Sequence, residues 1–270
     1  MLICAAWQLS PLESIALPRA YGLELVKILH GKMGLTLGDE TVPSTSFAGL
    51  LGRSHGSGDF ISFDPEETYE LSLCGLTPDS SNRILNLDLG EKLAFLGANF
   101  AITDRTHTLT SYEQLYTEQV AQDPEPLREF TLKFLTPTAF SQQRLHLPLP
   151  VPSLMLRSWL ERWNHFAPVY LGGDELVQYF GEAIALKRHQ IRTRTHPLQR
   201  GYLNGFVGDV TLQALNRADP LLANVAHLLV NYSQFSGTGM KTRLGMGKAI
   251  PHENAAEAAS THLCRPDSPS

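Results

Sequence analysis

The order of strands and helices, which occurs twice along the chain, most limits how this protein can fold. In the first half a strand-like run, Leu2 to Leu9, precedes a helix with apolar residues at helical spacing, Tyr21 to Leu29. Strands at 60–63 and 69–74, a helix at 77–87 that Thr77 caps, and strands at 93–95 and 99–104 follow. This is the order of a ferredoxin-like, or RRM-like, domain.

The second half repeats that order. Alternating apolar residues after Arg128 predict a strand, Leu156, Leu160 and Trp163 predict a helix over 153–166, and residues 185–215 predict a pair of strands. A helix at 220–230 and a glycine-rich end complete the set. The fold class we predict is α+β, with two tandem ferredoxin-like (RRM-like) domains and a C-terminal glycine-rich loop.

Glycine, proline and polar residues mark the predicted connections. We expect Gly31 and Gly34 to end the first helix, residues 34–58 to form a loop, and Ser111 to Pro126 to form a linker. The stretch 172–183 fits either a helix or a loop. The domains would then cover residues 1–125 and 126–250, with a flexible tail at 251–270.

Charge is distributed unevenly along the chain. The net charge of −5 divides into 10 − 18 = −8 over residues 1–150, 11 − 6 = +5 over 151–250 and 1 − 3 = −2 over 251–270. The second half is therefore the part that suits a phosphate-rich partner such as RNA. Such an asymmetry is also common in proteins that bind no nucleic acid.

Cysteine usage and hydropathy bear on the compartment. The three cysteines, Cys4, Cys74 and Cys264, are scattered and odd in number, which argues against a disulfide framework and a zinc site. No run approaches the roughly 18 apolar residues of a membrane span, and no secretory signal is evident at the amino terminus. We therefore expect a cytoplasmic protein that does not bind a membrane.

The segment Tyr232–Lys248, YSQFSGTGMKTRLGMGK, is the most informative motif. Its glycines permit positive φ, and successive amides in such a turn can form an anion-binding nest beside Lys241 and Arg243. The spacing matches neither a P-loop nor a dinucleotide fingerprint. On composition alone, a purely structural hairpin is an equally good interpretation.

This segment resembles the C-terminal glycine-rich loop of the CRISPR-associated RAMP endoribonucleases, which process repeat transcripts. The family pattern G-x-G-x-K-T/N-x-L-G-x-G is matched in full over residues 237–247. Shorter matches occur in the same order, at Leu29-His30-Gly31, Ser46 with Leu50 and Gly52, 69–76, 134–140 and 205–208. The resemblance covers residues 1 to about 250 and implies a pair of ferredoxin-like domains, in agreement with the periodicity.

The resemblance implies metal-independent cleavage of CRISPR repeat RNA. A 2′-hydroxyl attacks the adjacent phosphate, which leaves a 5′-hydroxyl and a 2′,3′-cyclic phosphate or 3′-phosphate. The family's active-site histidine lies after the first helix, which corresponds to His30, at a point where we expect the ring to reach the surface. Tyr21, Lys32 and Ser46 are the candidate assisting residues, although neither Tyr21 nor Lys32 stands at the family spacing.

Other interpretations of the histidines remain open. His30 alternatively interacts with the C-terminal dipole of its helix. His55, in a loop that we expect to be flexible, is the second candidate for catalysis. Spacings typical of metal sites are absent from the sequence, so we predict no metal and no cofactor.

Basic residues of the second half are the candidate RNA contacts. Arg188, Arg192, Arg194 and His196 share one face of a strand, where the alternative is a solvated surface. A second group combines Arg157 and Arg162, the latter expected at the surface, with Trp159 and Trp163. The full candidate set for RNA is Lys27, Arg188, Arg192, Arg194, Gly237, Gly239, Lys241, Thr242, Arg243, Gly245 and Gly247.

Three functions are compatible with these residues. The first is a repeat-processing endoribonuclease whose partners are the repeat RNA and other CRISPR effector-complex subunits, with no direct contact to DNA. The second is a non-catalytic RNA-binding RAMP subunit of such a complex. The third is a ferredoxin-like regulator that binds a small phosphorylated ligand in the glycine-rich segment.

Overall fold

The computed structural model describes residues 1–38 and 40–252 of the chain, so the predicted tail, 251–270, lies almost entirely outside the described residues. The strands are β1 (Leu2–Pro11), β2 (Ile15–Pro18), β3 (Thr45–Leu51), β4 (His55–Ser57), β5 (Phe60–Phe63), β6 (Tyr69–Gly75), β7 (Lys92–Phe95), β8 (Ala98–Thr110), β9 (Glu129–Thr138), β10 (Phe140–Gln142), β11 (Leu145–Leu147), β12 (Ile184–Pro197), β13 (Tyr202–Ala214) and β14 (Ala249–Pro251). The helices are α1 (Tyr21–Met33), α2 (Pro78–Leu85), α3 (Tyr112–Tyr116), α4 (Pro152–Phe166), α5 (Asp174–Ala183) and α6 (Pro220–Ser236).

The first antiparallel sheet has the strand order β3-β6-β1-β8-β7. Strand β1 lies at its centre and pairs Trp7 with Leu71 of β6 and with Arg105 of β8. Helix α1 packs Leu25, Val26 and Leu29 into the core below this sheet. With α2 between β6 and β8, the order of elements and of strands is that of a ferredoxin-like unit.

The second sheet repeats this arrangement, with the order β12-β13-β9-β14. Its core is formed by apolar residues of β9 and β13 together with α4, α5 and α6, and Trp159 and Trp163 are fully buried there. The predicted α+β class with two ferredoxin-like units is therefore confirmed. The boundary that we placed at residues 125 and 126 stays a prediction.

Several connections differ from the sequence-based expectation. Gly31 lies inside α1, and Gly34 alone ends the helix, in the left-handed conformation. The stretch 34–58 is not a loop throughout, because it contains β3 and β4. The supposed linker after Ser111 forms α3 and a π-helical turn, Thr117–Ala121, since Tyr112, Leu115 and Val120 are buried in the second core. Because polar residues separate these apolar ones in the sequence, the hydropathy pattern did not predict that the apolar side chains are buried.

Cys4 and Cys74 form a disulfide, so the expectation from cysteine count was wrong for this pair. The two residues are 70 apart in sequence but directly opposite in the register of β1 and β6. Only the strand pairing, which the sequence does not specify, reveals their proximity. Cys264 lies outside the described residues. No helix in the described part of the chain is long and apolar enough to cross a bilayer.

Candidate functional site

A cleft of about 890 Å³ separates the two ferredoxin-like units. One wall consists of the start of α1, most of β3 and neighbouring residues. The other consists of the end of β9, the last part of β12 with the turn that follows it, and the glycine-rich segment. The cleft therefore brings together two regions that the sequence placed in different domains.

The charge of the cleft is entirely positive among the described residues that line it. These include four cations and no Asp or Glu: Arg19, Arg194, Arg200 and Lys241. In a chain with a net charge of −5, such a concentration of one sign is a local property of the fold. It provides an electrostatic surface for an anionic ligand of extended shape, such as a nucleic-acid backbone.

Tyr21 lies at the first residue of α1 and borders the cleft. Its hydroxyl accepts a hydrogen bond from the Leu50 amide at 3.2 Å, which leaves the hydroxyl proton free to be donated. Burial raises the pKa of Tyr21 to about 12, against the smaller opposing effects of the Leu50 bond and the charge of Arg194. The phenol is therefore protonated at neutral pH.

His196 lies near the end of β12, two residues after Arg194, and also borders the cleft. The ring packs against Gly245, and the Leu244 backbone in the glycine-rich segment favours its protonated form. Burial, with the charges of Arg194 and Lys241, lowers the pKa of His196 to about 4. At neutral pH the ring is thus uncharged.

His30 does not reach the surface, and that part of the prediction was wrong. The ring is 3% exposed, with Nδ1 2.9 Å from the Val26 carbonyl and Nε2 3.1 Å from Thr45 Oγ1. Because Val26 offers only an acceptor, Nδ1 donates and Nε2 accepts from the threonine hydroxyl. Burial lowers the pKa of His30, opposed by the Val26 bond. Helix α1 continues past His30 and turns the ring into the protein.

The other predicted catalytic residues are also dispersed. Ser46 is buried and donates to the Phe235 carbonyl at 2.7 Å, so its hydroxyl ties β3 to α6 and does not face a ligand. Lys32 is exposed on α1 outside the cleft lining, as is Lys27, which pairs with Glu24 at 2.7 Å. Tyr21 alone of the predicted catalytic set lines the cleft.

The cationic row on β12 is present on the strand face opposite Ile191, which packs against the core. Arg188, Arg192 and Arg194 are exposed, and His196 is half-buried. Only the last two reach the cleft. His55, which we expected in a flexible loop, lies exposed on β4, paired with Ser62 of β5.

The glycines of the C-terminal segment allow close backbone packing. A Cβ at Gly239 would lie 2.3 Å from the Ala139 carbonyl oxygen, and one at Gly247 would lie 2.1 Å from that of Thr238. Every amide from Gly237 to Met240 donates to a protein acceptor, as does that of Gly247. The anion-nest interpretation was therefore wrong for these residues, whose amides hold the loop itself.

Arg162 is the central support of this loop and is 9% exposed, so the expectation of a surface position was wrong. Its guanidinium donates to the carbonyls of Gly237 at 2.9 Å and Gly239 at 2.6 Å. Trp159 Nε1 donates to Thr238 Oγ1 at 2.9 Å. Two members of the cation-and-aromatic group on α4, Arg162 and Trp159, thus fix the glycine-rich segment.

The remaining residues of the segment connect it to the first unit. Arg243 lies 3.5 Å from Glu40, and both charges act on the nearby His30. Thr242 is buried, and its Oγ1 has no hydrogen-bond partner among the described residues. Lys241 adopts the left-handed conformation at the cleft, and Gly245 packs against His196.

The sequence did not predict Arg19 and Arg200 as site residues, and it predicted His196 only as part of a basic row. Arg19 precedes α1, and Arg200 lies in the β12–β13 turn, so neither belongs to a periodic pattern. The one signal that could have identified Arg200 as a site residue was its closeness in sequence to Arg194, with which it forms a basic cluster. Among residues 1–38 and 40–252, no group of three His, Cys, Asp or Glu side chains is arranged to hold a metal ion.

Comparison with known proteins supports the resemblance drawn from the sequence. The family model described as CRISPR-associated endoribonuclease Cas6 matches residues 132–249. The protein of that name from Mycobacterium tuberculosis (strain CDC 1551 / Oshkosh) is 28% identical over 120 residues, which are 44% of this chain and 38% of that protein. One from Streptococcus thermophilus is 28% identical over 119 residues, 44% of this chain and 48% of its own length. The matches thus span less than half of these relatives.

Solved structures agree over nearly the whole chain. Thermus thermophilus Cas6 superposes with a TM-score of 0.67 at 22% identity, covering 93% of this chain and 98% of its own. A Cas6 product complex gives 0.71 at 23%, covering 93% and 100%. A RAMP protein described as binding different RNA substrates gives 0.63 at 12%, covering 92% and 99%. The likeness to CRISPR-associated RAMP endoribonucleases, and their fold, is therefore confirmed.

Proposed function

We propose that this protein is an endoribonuclease that binds CRISPR repeat RNA and cleaves it into guide-length pieces in the cytoplasm. The observation that carries the proposal is the cleft between the two units, with four cations, no carboxylate, a phenol and an imidazole along its described lining. The name of the matching family model and of the curated relatives supports the same activity. We also expect other CRISPR effector-complex subunits as partners, and we expect no direct contact with DNA.

The reaction we propose is attack of a 2′-hydroxyl on the adjacent phosphate without a metal ion. The products would carry a 5′-hydroxyl and a 2′,3′-cyclic phosphate or 3′-phosphate. In this reaction Arg194 and Lys241, which line the cleft, would hold the phosphate charge, and Tyr21 would donate a proton to the leaving 5′-oxygen. For His30 to act as the base, its contacts with Val26 and Thr45 would have to open.

A non-catalytic RNA-binding subunit is the second candidate, and the enclosure of His30 favours it. A histidine with both nitrogens bonded inside the protein has no lone pair or proton to offer a substrate. The cleft alone would suffice for binding. If the protein is such a subunit, it should bind the repeat RNA as tightly as the enzyme would and should leave the RNA uncleaved.

The test is incubation of the full chain with end-labelled repeat RNA, transcribed from the CRISPR array of the source genome, in EDTA. Cleavage at one position supports the proposal if the new 5′ end is a hydroxyl. Polynucleotide kinase phosphorylates such an end without prior treatment of the product. Binding without cleavage would favour the non-catalytic subunit. A scrambled RNA of the same length is the control for selectivity.

A further inference from the structure

Glu40 of the first unit and Arg243 of the glycine-rich segment form an ion pair that joins the two units. The guanidinium nitrogen Nη1 lies 3.5 Å from Glu40 Oε2. Arg243 belongs to a short 3₁₀ turn, Thr242–Leu244, that packs against α1 and β3. The pair therefore lies where the glycine-rich segment meets the two elements that carry His30 and Thr45.

The carboxylate of Glu40 is held in place from its own side. Both the amide and the hydroxyl of Ser44 donate to it, the amide at 2.9 Å. The Ser44 carbonyl in turn accepts from the Leu76 amide at 2.8 Å and from Ser80 Oγ at 3.1 Å, which fixes Ser44 to the first unit. A built support thus presents Glu40 to Arg243, and the carboxylate does not rotate freely.

The ion pair itself is weak enough to be exchanged. It consists of one long contact, and Glu40 is the one hydrogen-bond partner of Arg243 among the described residues. A guanidinium has five N–H donors, whose planar arrangement fits the two free oxygens of a phosphodiester. The Arg243 side chain is only 17% exposed, so its charge is screened less than that of a surface arginine. Arg243 therefore favours an anion that makes more contacts than Glu40 does.

The surroundings of the pair suit an RNA phosphate. Lys241 and Leu244, on either side of Arg243 in the sequence, line the cationic cleft. An RNA backbone that follows the cleft therefore reaches the turn that carries Arg243. Burial lowers the pKa of His30, Arg243 lowers it further and Glu40 opposes both effects. An anion at Arg243 thus lies within electrostatic reach of His30.

We propose that Glu40 occupies, in the free protein, the anion position at Arg243 that a phosphodiester group of the RNA takes on binding. The inference rests on the proposed function for the identity of that partner. The phosphate displaces the carboxylate from Arg243, and no covalent bond changes. Glu40 is accordingly a positioning residue, which keeps Arg243 neutralised and oriented until the RNA arrives. The exchange brings the phosphate beside His30.

The test compares Glu40→Gln with the wild type in binding of a fully 2′-O-methylated repeat RNA, which cannot be cleaved. Glutamine keeps an oxygen for the Ser44 donors but has no charge to compete with the phosphate. We expect the Kd to fall by about two- to fivefold, and we expect no such fall when Arg243→Gln is also present. Glu67→Gln is the matched control and should bind like the wild type. Glu67 is 38% exposed against 39% for Glu40, but it pairs with Arg53, outside the cleft lining.

Single-turnover cleavage in EDTA separates this exchange from a structural effect. At saturating RNA the carboxylate has already left Arg243. The rate constant of Glu40→Gln should therefore lie within about twofold of the wild-type value, while the half-saturating RNA concentration falls. A much lower rate constant would show a structural role and overturn the inference.

The binding measurements also have results that contradict the inference. Equal or weaker binding by Glu40→Gln, a gain that persists with Arg243→Gln, or an equal gain in Glu67→Gln overturns it. Absence of cleavage by the wild type instead overturns the proposed function. Because the binding cycle uses an RNA that cannot be cleaved, it still decides the inference in that case, and the two failures are distinguishable.

Discussion

The imidazole of His196 lies directly against the Cα of Gly245, so that a Cβ there would be 3.1 Å from the ring Cε1. This contact joins β12 to the glycine-rich segment at the cleft. It gives the motif a physical role, because the glycine is required by a neighbouring side chain as well as by its own φ of 98°.

Gly245→Ala should therefore displace His196 and strain the backbone. We expect a loss of about 1–2 kcal/mol in the free energy of unfolding and a slower cleavage rate. Urea denaturation and single-turnover kinetics measure the two effects. Gly201→Ala is the control, since its φ of 77° imposes similar strain but no atom lies within 4 Å of the added Cβ. Equal cleavage by both variants would contradict the role assigned to the contact.

Arg162 should be a major determinant of stability. Its guanidinium is bonded to the carbonyls of Gly237 and Gly239 in a buried position, so Arg162→Met leaves two carbonyl groups without that donor. We expect a loss of about 2–5 kcal/mol in the free energy of unfolding, measured by urea denaturation. Arg157→Met on the same helix, whose exposed side chain lies 3.7 Å from Asp174, should cost under roughly 1 kcal/mol.

The cleft predicts which arginines of β12 matter most for RNA. Each cation that neutralises a phosphate contributes about 0.7–0.9 to the slope of log K against log salt concentration. Arg194→Ala should reduce that slope by roughly this amount, whereas Arg188→Ala, on the same strand face but outside the cleft lining, should change it less. Fluorescence anisotropy with repeat RNA at several salt concentrations measures both. Equal effects would favour the whole strand face as the binding surface.

The sequence predicted the parts of this site that follow from local periodicity or from a continuous motif. The period-two pattern placed Arg194 and His196 on one face, and the match over residues 237–247 identified the loop that closes the cleft. The burial of His30 depended on helix α1 continuing to Met33 and on Thr45 lying opposite it. Arg162 faced inward because backbone carbonyls offered it acceptors, which no hydropathy pattern records. Contacts between distant segments, such as Cys4 with Cys74, follow from strand pairing and could not be predicted from local sequence patterns.

His30 should make stability depend on pH. Burial holds its pKa below the ordinary value of the unfolded chain, so the unfolded state binds more protons as the pH falls. The stabilisation is therefore present above about pH 6.5 and is lost as the pH decreases through the folded-state pKa. His196 acts in the same direction. Urea midpoints at pH 7.5 and 5.0 should differ less in His30→Gln than in the wild type, and an unchanged difference would contradict the assignment.

Lys248 should destabilise the fold at neutral pH. Its Nζ is buried, with the Gln234 carbonyl at 3.1 Å and Cys4 Sγ at 3.2 Å as neighbours, and burial lowers the pKa of Lys248 to about 8. Because the unfolded lysine keeps its proton to about pH 10.5, the unfolded state binds more protons between these values, and stability rises with pH.

The penalty at pH 7 is about 3 kcal/mol and comes from burial, which the charge of Glu70 opposes. Lys248→Met should accordingly be at least as stable as the wild type at pH 7, and its stability should rise less between pH 7 and 9. Urea denaturation at both values, with Lys187→Met as an exposed control, measures this. A large loss of stability in Lys248→Met at pH 7 would mean that the ammonium contributes net stabilisation, and would contradict this prediction.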